Sequence, residues 1–142
     1  MNIKTIITMI IMAAIGVAAA ACGSSASQDS GMKTIAEKKV GENLNVAISN
    51  AEGKLKNGEQ QIGLKFTDGS GNPVEISAAS LNFNMPAMGS MAEMNDPATL
   101  STTSTAGEFR GNVNIQMAGD WTAQISYEGA ETGKTTIGVT AY

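Results

Sequence analysis

Four methionines fall at three-residue intervals in Met85-Pro86-Ala87-Met88-Gly89-Ser90-Met91-Ala92-Glu93-Met94. A thioether is a soft, neutral donor that suits copper(I) or silver(I) and suits zinc, calcium or magnesium poorly. It carries no proton to lose, so such a site keeps working at low pH. Pro86 and Gly89 interrupt the segment, and a loop of this kind can fold several sulfurs inward. The candidate metal ligands are Met88, Met91 and Met94, with Met85 and Met117 as further donors. A second reading stands beside this one. Methionine is a flexible gap-filler and an adaptable contact residue, so the same segment could cover the core or dock a partner protein. Met85 shares parity with Leu81 and Phe83, and Met117 with Phe109, Val113 and Ile115, which points both into the core. Trp121 reads as a core residue by its parity with Ile125 and Tyr127. Its indole face could alternatively sit beside a bound cation.

Composition removes most other chemistry. The 142 residues include no histidine and one cysteine, so Ser/His/Asp and Cys/His nucleophiles, imidazole metal sites, an internal disulfide and thiolate clusters are all excluded. The hydroxyl-rich run Ser101 to Thr105 lacks a Ser-x-x-Lys motif and reads as a hairpin. Glu93 and Asp96 find no second acidic pair at the spacing of a calcium loop or a glycosidase and read as solvated charge. No enzyme is expected. The formal charge is −4 and the lysines are scattered, which argues against nucleic acid as a partner.

The elements that must position the methionines begin after a leader. Lys4 precedes an apolar run from Ile6 to Ala21 that is too short to span a membrane and ends in small residues before Cys22. Ala19-Ala20-Ala21-Cys22 resembles a bacterial lipobox, with Ala19 where leucine is usual. Residues 1–21 are therefore expected to be a lipoprotein signal peptide and Cys22 the lipidated first residue of the mature protein. Loss of Lys4 leaves eight of the nine basic groups against thirteen acidic ones, a charge of −5. Residues 22–40 read as a flexible tether with a reach of roughly 24 Å, with room for a short helix around Met32 to Lys39. The predicted location is the cell envelope, lipid-anchored and extracytoplasmic. With Gly23 after the cysteine, the outer membrane is favoured over the inner one where there are two.

Residues 41–142 read as one domain. Leu44, Val46 and Ile48; Ile62, Leu64 and Phe66; Phe109, Val113 and Ile115; Trp121, Ala123, Ile125 and Tyr127; and Ile137, Val139 and Ala141 each alternate with period two between turn signals. Val74, Ile76 and Ala78 give way to Leu81, Phe83 and Met85 with a change of parity, which places a bulge or a strand switch near Ser77 to Ser80. With a short strand around Leu100, about seven strands are expected. The fold class is an all-β, immunoglobulin-like antiparallel sandwich.

These residues also carry a family resemblance. Asp68-Gly69 to Pro73-Val74, Leu81-Asn82-Phe83-Asn84-Met85-Pro86 with Met88, Gly107-Glu108-Phe109 and Met117-Ala118-Gly119-Asp120-Trp121, in that order, are similar to the YtkA-like and FixH-like domains of bacterial envelope proteins. The likeness spans roughly residues 58–142. It implies an immunoglobulin-like sandwich on the outer side of a membrane, linked to heavy-metal efflux adaptors or to copper delivery for respiratory oxidases. The family's Met-Pro-x-Met falls on Met85, Pro86 and Met88, and this chain adds Met91 and Met94. The absence of histidine leaves copper(I) as the one attractive metal.

The anchor is directly testable. Cys22→Ser should move the protein from the membrane to the soluble envelope fraction, and a partition identical to that of the unsubstituted protein would remove the anchor.

Overall fold

The computed structural model describes residues 31–142. The expected signal peptide, Cys22 and the first part of the expected tether lie outside the described residues. The rest is all β-strand: β1 (Lys33–Val40), β2 (Leu44–Asn50), β3 (Gly58–Thr67), β4 (Ile76–Met85), β5 (Met94–Thr102), β6 (Glu108–Ile115), β7 (Gly119–Gly129) and β8 (Gly133–Ala141). Every neighbouring pair is antiparallel, in the order β1-β2-β3-β6-β5-β4-β7-β8. The strands form one continuous sheet that folds over on itself and is nearly a barrel. The expected all-β class therefore holds, with eight strands rather than about seven and one folded sheet rather than two separate ones.

The inner face is built from the alternating residues. Leu44, Val46, Ile48, Ile62, Leu64, Phe66, Leu81, Phe83, Val113, Ile115, Trp121, Ala123 and Ile125 are all buried in a single core. Phe66 organises its middle, meeting Phe109 edge-on at 6.1 Å and Tyr127 at 5.3 Å between ring centroids. Aromatic pairs of this kind contribute about 0.5–1.5 kcal/mol beyond their burial. The parity change in β4 is a bulge between Ile76 and Ala78, inside the interval that the sequence marks. The turn between β3 and β4 is held by Asp68, whose carboxylate accepts the backbone N–H of Asn72 at 2.9 Å and of Ser70 at 2.8 Å. Those two donors, Asn72 first, lower its pKa below the ordinary carboxylate value.

Two expectations are corrected at the N-terminal side. The segment around Met32 to Lys39 is not a helix but the strand β1, paired with β2. The same strand takes residues 33–40 out of the flexible tether. Its sequence hides it, because an edge strand has one free side and carries Lys33, Lys38 and Lys39 where an inner strand would carry apolar residues. Met32, just before it, is buried on β3, its sulfur accepting a hydrogen bond from Ser49 Oγ at 3.8 Å.

The fold in the sheet runs through β5. Residues Met94 to Ala98 pair with β4, and Thr99 to Thr102 pair with β6. At the switch the backbones come unusually close: a Cβ on Gly111, opposite Leu100, would lie 1.6 Å from the Thr99 carbonyl oxygen. No side chain fits there, because the obstacle is backbone. Gly111→Ala should therefore destabilise the protein by about 3 kcal/mol or more, at or beyond the upper end of overpacking costs. A thermal melt within about 1 °C of the unsubstituted protein would contradict the close approach.

Candidate functional site

The methionine segment is a hairpin tip. Met85 pairs with Met94 at the ends of β4 and β5, and Met88 pairs with Met91 beyond them in the same register. Met88 N donates to Met91 O at 3.1 Å and Met91 N donates to Met88 O at 2.9 Å, closing a two-residue turn at Gly89-Ser90. Gly89 takes φ +57°, the left-handed value that such tight turns require at their first central position. Pro86 has no N–H, which explains why the ladder is broken between the two methionine rungs.

This register separates the four sulfur residues. Residues directly opposite in a hairpin share a face, and faces alternate along each strand. Met85 with Met94 therefore lies on the inner face, and Met88 with Met91 on the outer. Burial agrees: Met85 is 3 % exposed and Met94 packs partly against the core, whereas Met88 is 58 % and Met91 40 % exposed. Met85 reaches the start of β7, its methyl carbon 2.9 Å from where a Cβ on Gly119 would be. Met117 is partly buried against the core, and its carbonyl accepts the Trp121 indole N–H at 3.1 Å. Met85, Met117 and Trp121 thus meet at one end of the molecule as packing groups, with Trp121 2 % exposed. The outer rung is what they do not reach.

Glu93 joins the outer rung. It lies two residues from Met91 on the same face, and its Oε1 accepts the Asn84 side-chain N–H at 2.5 Å. Asn84 also donates to Asn95, which in turn accepts from Asn82, so a chain of amides on the outer face of β4 and β5 holds this carboxylate. Among the described residues no three Asp, Glu, His or Cys side chains come together to hold a metal ion. The donors at the tip are two thioethers and one carboxylate.

Asp96 corrects the reading of Glu93 and Asp96 as solvated charges. It is 5 % exposed and accepts both the backbone N–H of Gln116, at 2.9 Å, and its side-chain amide. The bond ties β5, two residues past Met94, to the segment that carries Met117. The signal was present in the sequence, since Asp96 shares parity with Met94, Ala98 and Leu100, which face the core.

The class defined so far is a small β-domain formed by one curled sheet, with methionines at the tip of a central hairpin. The family model described as YtkA-like matches residues 38–126, more than half of the chain. The chain belongs to the YtkA-like family. No curated protein and no solved structure matches it. The matched span runs from within β1 to within β7 and includes the whole hairpin, Asp96 and Trp121.

Asp96→Ala should cost about 1–3 kcal/mol, the loss expected when a buried donor is left without its acceptor. Asp96→Asn, which keeps one acceptor oxygen for Gln116 N–H, should lose less. Equal denaturation midpoints for the alanine variant and the unsubstituted protein would show the bond to be dispensable.

Proposed function

We propose that this protein is a lipid-anchored, extracytoplasmic binding protein that captures and buffers copper(I) at the outer face of the β4–β5 hairpin. The observation that carries this reading is the Met88–Met91 rung. Two long apolar side chains sit opposite one another at an exposed tip, where burial gives neither a reason to be there. Cα atoms of a mutually hydrogen-bonded pair stand about 5.5 Å apart, so two flexible thioethers can converge on one monovalent soft ion. Glu93 on the same face supplies a negative charge beside the cation. Met94 sits on the inner face at the core edge and would have to leave that packing to serve as a third donor. Met85 and Met117 stay in the packing beneath, and Trp121 fixes that packing instead of facing the cation.

The activity on this reading is passive. Ligand exchange between thioethers takes the ion up and passes it to a partner in the envelope, and no bond is made or broken in a substrate. Cys22 holds the domain at a membrane, the outer one where there are two. A second reading rests on the same rung: Met88 and Met91 are also a compact adaptable apolar patch, suited to docking an efflux or respiratory-assembly partner without metal.

Competition titration with a chromophoric copper(I) chelator separates the two. The protein should bind one copper(I), and leucine at 88, 91 and 94 together should weaken binding at least a hundredfold while the melting temperature moves by no more than about 2 °C. An affinity unchanged by the leucines removes the metal reading and leaves docking.

A further inference from the structure

β8 is an edge strand with a mostly unused side. It pairs with β7, Trp121 standing opposite Val139 and Ile125 opposite Thr135. In an antiparallel strand each residue sends its N–H and C=O to one side, and its neighbours send theirs to the other. Two bonds identify which residues of β8 point away from β7. Lys38 Nζ donates to Thr136 O at 2.8 Å, and Tyr142 N donates to Leu55 O at 3.0 Å. Lys134, Thr136, Gly138 and Thr140 have the same parity. Apart from the Thr136 carbonyl, their outward backbone groups meet no partner among the described residues.

The far end of this edge already accepts added backbone. Leu55 bridges Ala141 in parallel, and Asn57 N donates to Tyr142 O at 3.1 Å. From there toward Lys134 the edge borders two grooves, of about 340 Å³ and about 500 Å³, between β8 and β1. The first includes Lys54 and Gly138, the second Lys38 and Lys134, and no Asp or Glu lines either one, although Asp120 accepts the hydroxyl of Thr140 beside the first. Three lysines thus gather along one seam of an acidic chain. A Cβ built on Gly138 would meet nothing within 4 Å, so the outer face of the sheet is open at the middle of the edge. A single side chain, Lys38, bridges the seam by hydrogen bond.

We infer that the edge of β8 from Lys134 to Thr140 is a strand-addition site for an extended acidic segment of a partner protein. Main-chain bonds to Gly138, Thr140 and Lys134 supply the affinity, and Lys38, Lys54 and Lys134 select carboxylates on the incoming strand. Lys38 gives up the Thr136 carbonyl to the added strand and turns to one of its carboxylates. A second copy of this chain fits poorly, because pairing two β8 edges would bring like-charged lysines together. The site is separate from the Met88–Met91 rung and does not depend on metal.

The test is fluorescence anisotropy of the purified protein with a labelled eight-residue peptide alternating glutamate and valine. Binding should be saturable, weaken with salt, and fall at least tenfold when lysine replaces glutamate in the peptide. Gly138→Pro removes one outward N–H and leaves the β7 side intact, and it should weaken binding at least tenfold with an unchanged circular dichroism spectrum. Lys38→Gln with Lys134→Gln gives a second variant that keeps the backbone, with the same loss expected. Amide NMR shifts on peptide addition should concentrate at residues 134 to 140. No binding, binding indifferent to these substitutions, or shifts confined to the Met88–Met91 hairpin would overturn the proposal. So would a dimer dispersed by Gly138→Pro, which would make the seam a self-association edge.

Discussion

The fold depends on β5 serving two layers with one short strand. Nine residues leave β4 after Ala98 and join β6 at Thr99, and the sheet bends over the core at that step. The bend requires a position on β6 with no side chain, which Gly111 provides, because the Thr99 carbonyl occupies the space of a Cβ. It also requires that the part of β5 paired with β4 be held in place, opposite Phe83. Asp96 does this by binding Gln116 through both main chain and side chain. A buried carboxylate is costly to desolvate, and two directed donors offset that cost. With β5 fixed at Asp96 and at Thr99, the register of the β4–β5 hairpin follows, and with it the pairing of Met85 with Met94 and Met88 with Met91.

That register explains why a cluster in sequence becomes two pairs in space. Three-residue spacing along strands whose faces alternate every residue puts Met88 on the opposite side of the ribbon from Met85 and Met91 on the opposite side from Met94, while the two-residue turn keeps Met88 and Met91 on one face. Met85 and Met94 close the end of the core over Gly119 and beside the Met117–Trp121 contact. Met88 and Met91 are left outside. The core is thus complete without the outer pair, and the outer pair is positioned by backbone hydrogen bonds that do not depend on its side chains. Residues in that position are free to vary without loss of stability.

Much of the fold was legible because a half-buried strand alternates, and the inner strands here alternate with few exceptions. The bulge at Ser77 was visible as a broken parity, and Trp121 as a core residue. β1 was not legible, since an edge strand buries little and its lysines resemble a solvated tether. β5 was obscured by Pro97 and by an inward-facing aspartate, each of which reads as loop when strands are sought by hydropathy. The division of the methionines did leave a trace: Gly89-Ser90 is a two-residue turn signal flanked symmetrically by Met88 and Met91 and then by Met85 and Met94. Recognising the turn first would have turned a flexible loop into a ladder with two faces.

The near-closure of the sheet bears on how the two surfaces relate. A barrel that closed completely would have no edge, and a sandwich with covered edges would have no seam. Here β1 and β8 stand side by side, joined by one lysine contact at Thr136 and, at the end of β8, by the segment Leu55 to Asn57. Leu55 is fully buried, so that end is anchored by packing, whereas along the rest of the seam a solvent-exposed lysine makes the hydrogen bond across it. Stability is concentrated at the β5 bend and in the aromatic core, and it thins toward the β1–β8 seam. A protein arranged this way can open its edge to added backbone while the hairpin with Met88 and Met91, fixed by the opposite part of the strand order, keeps its geometry.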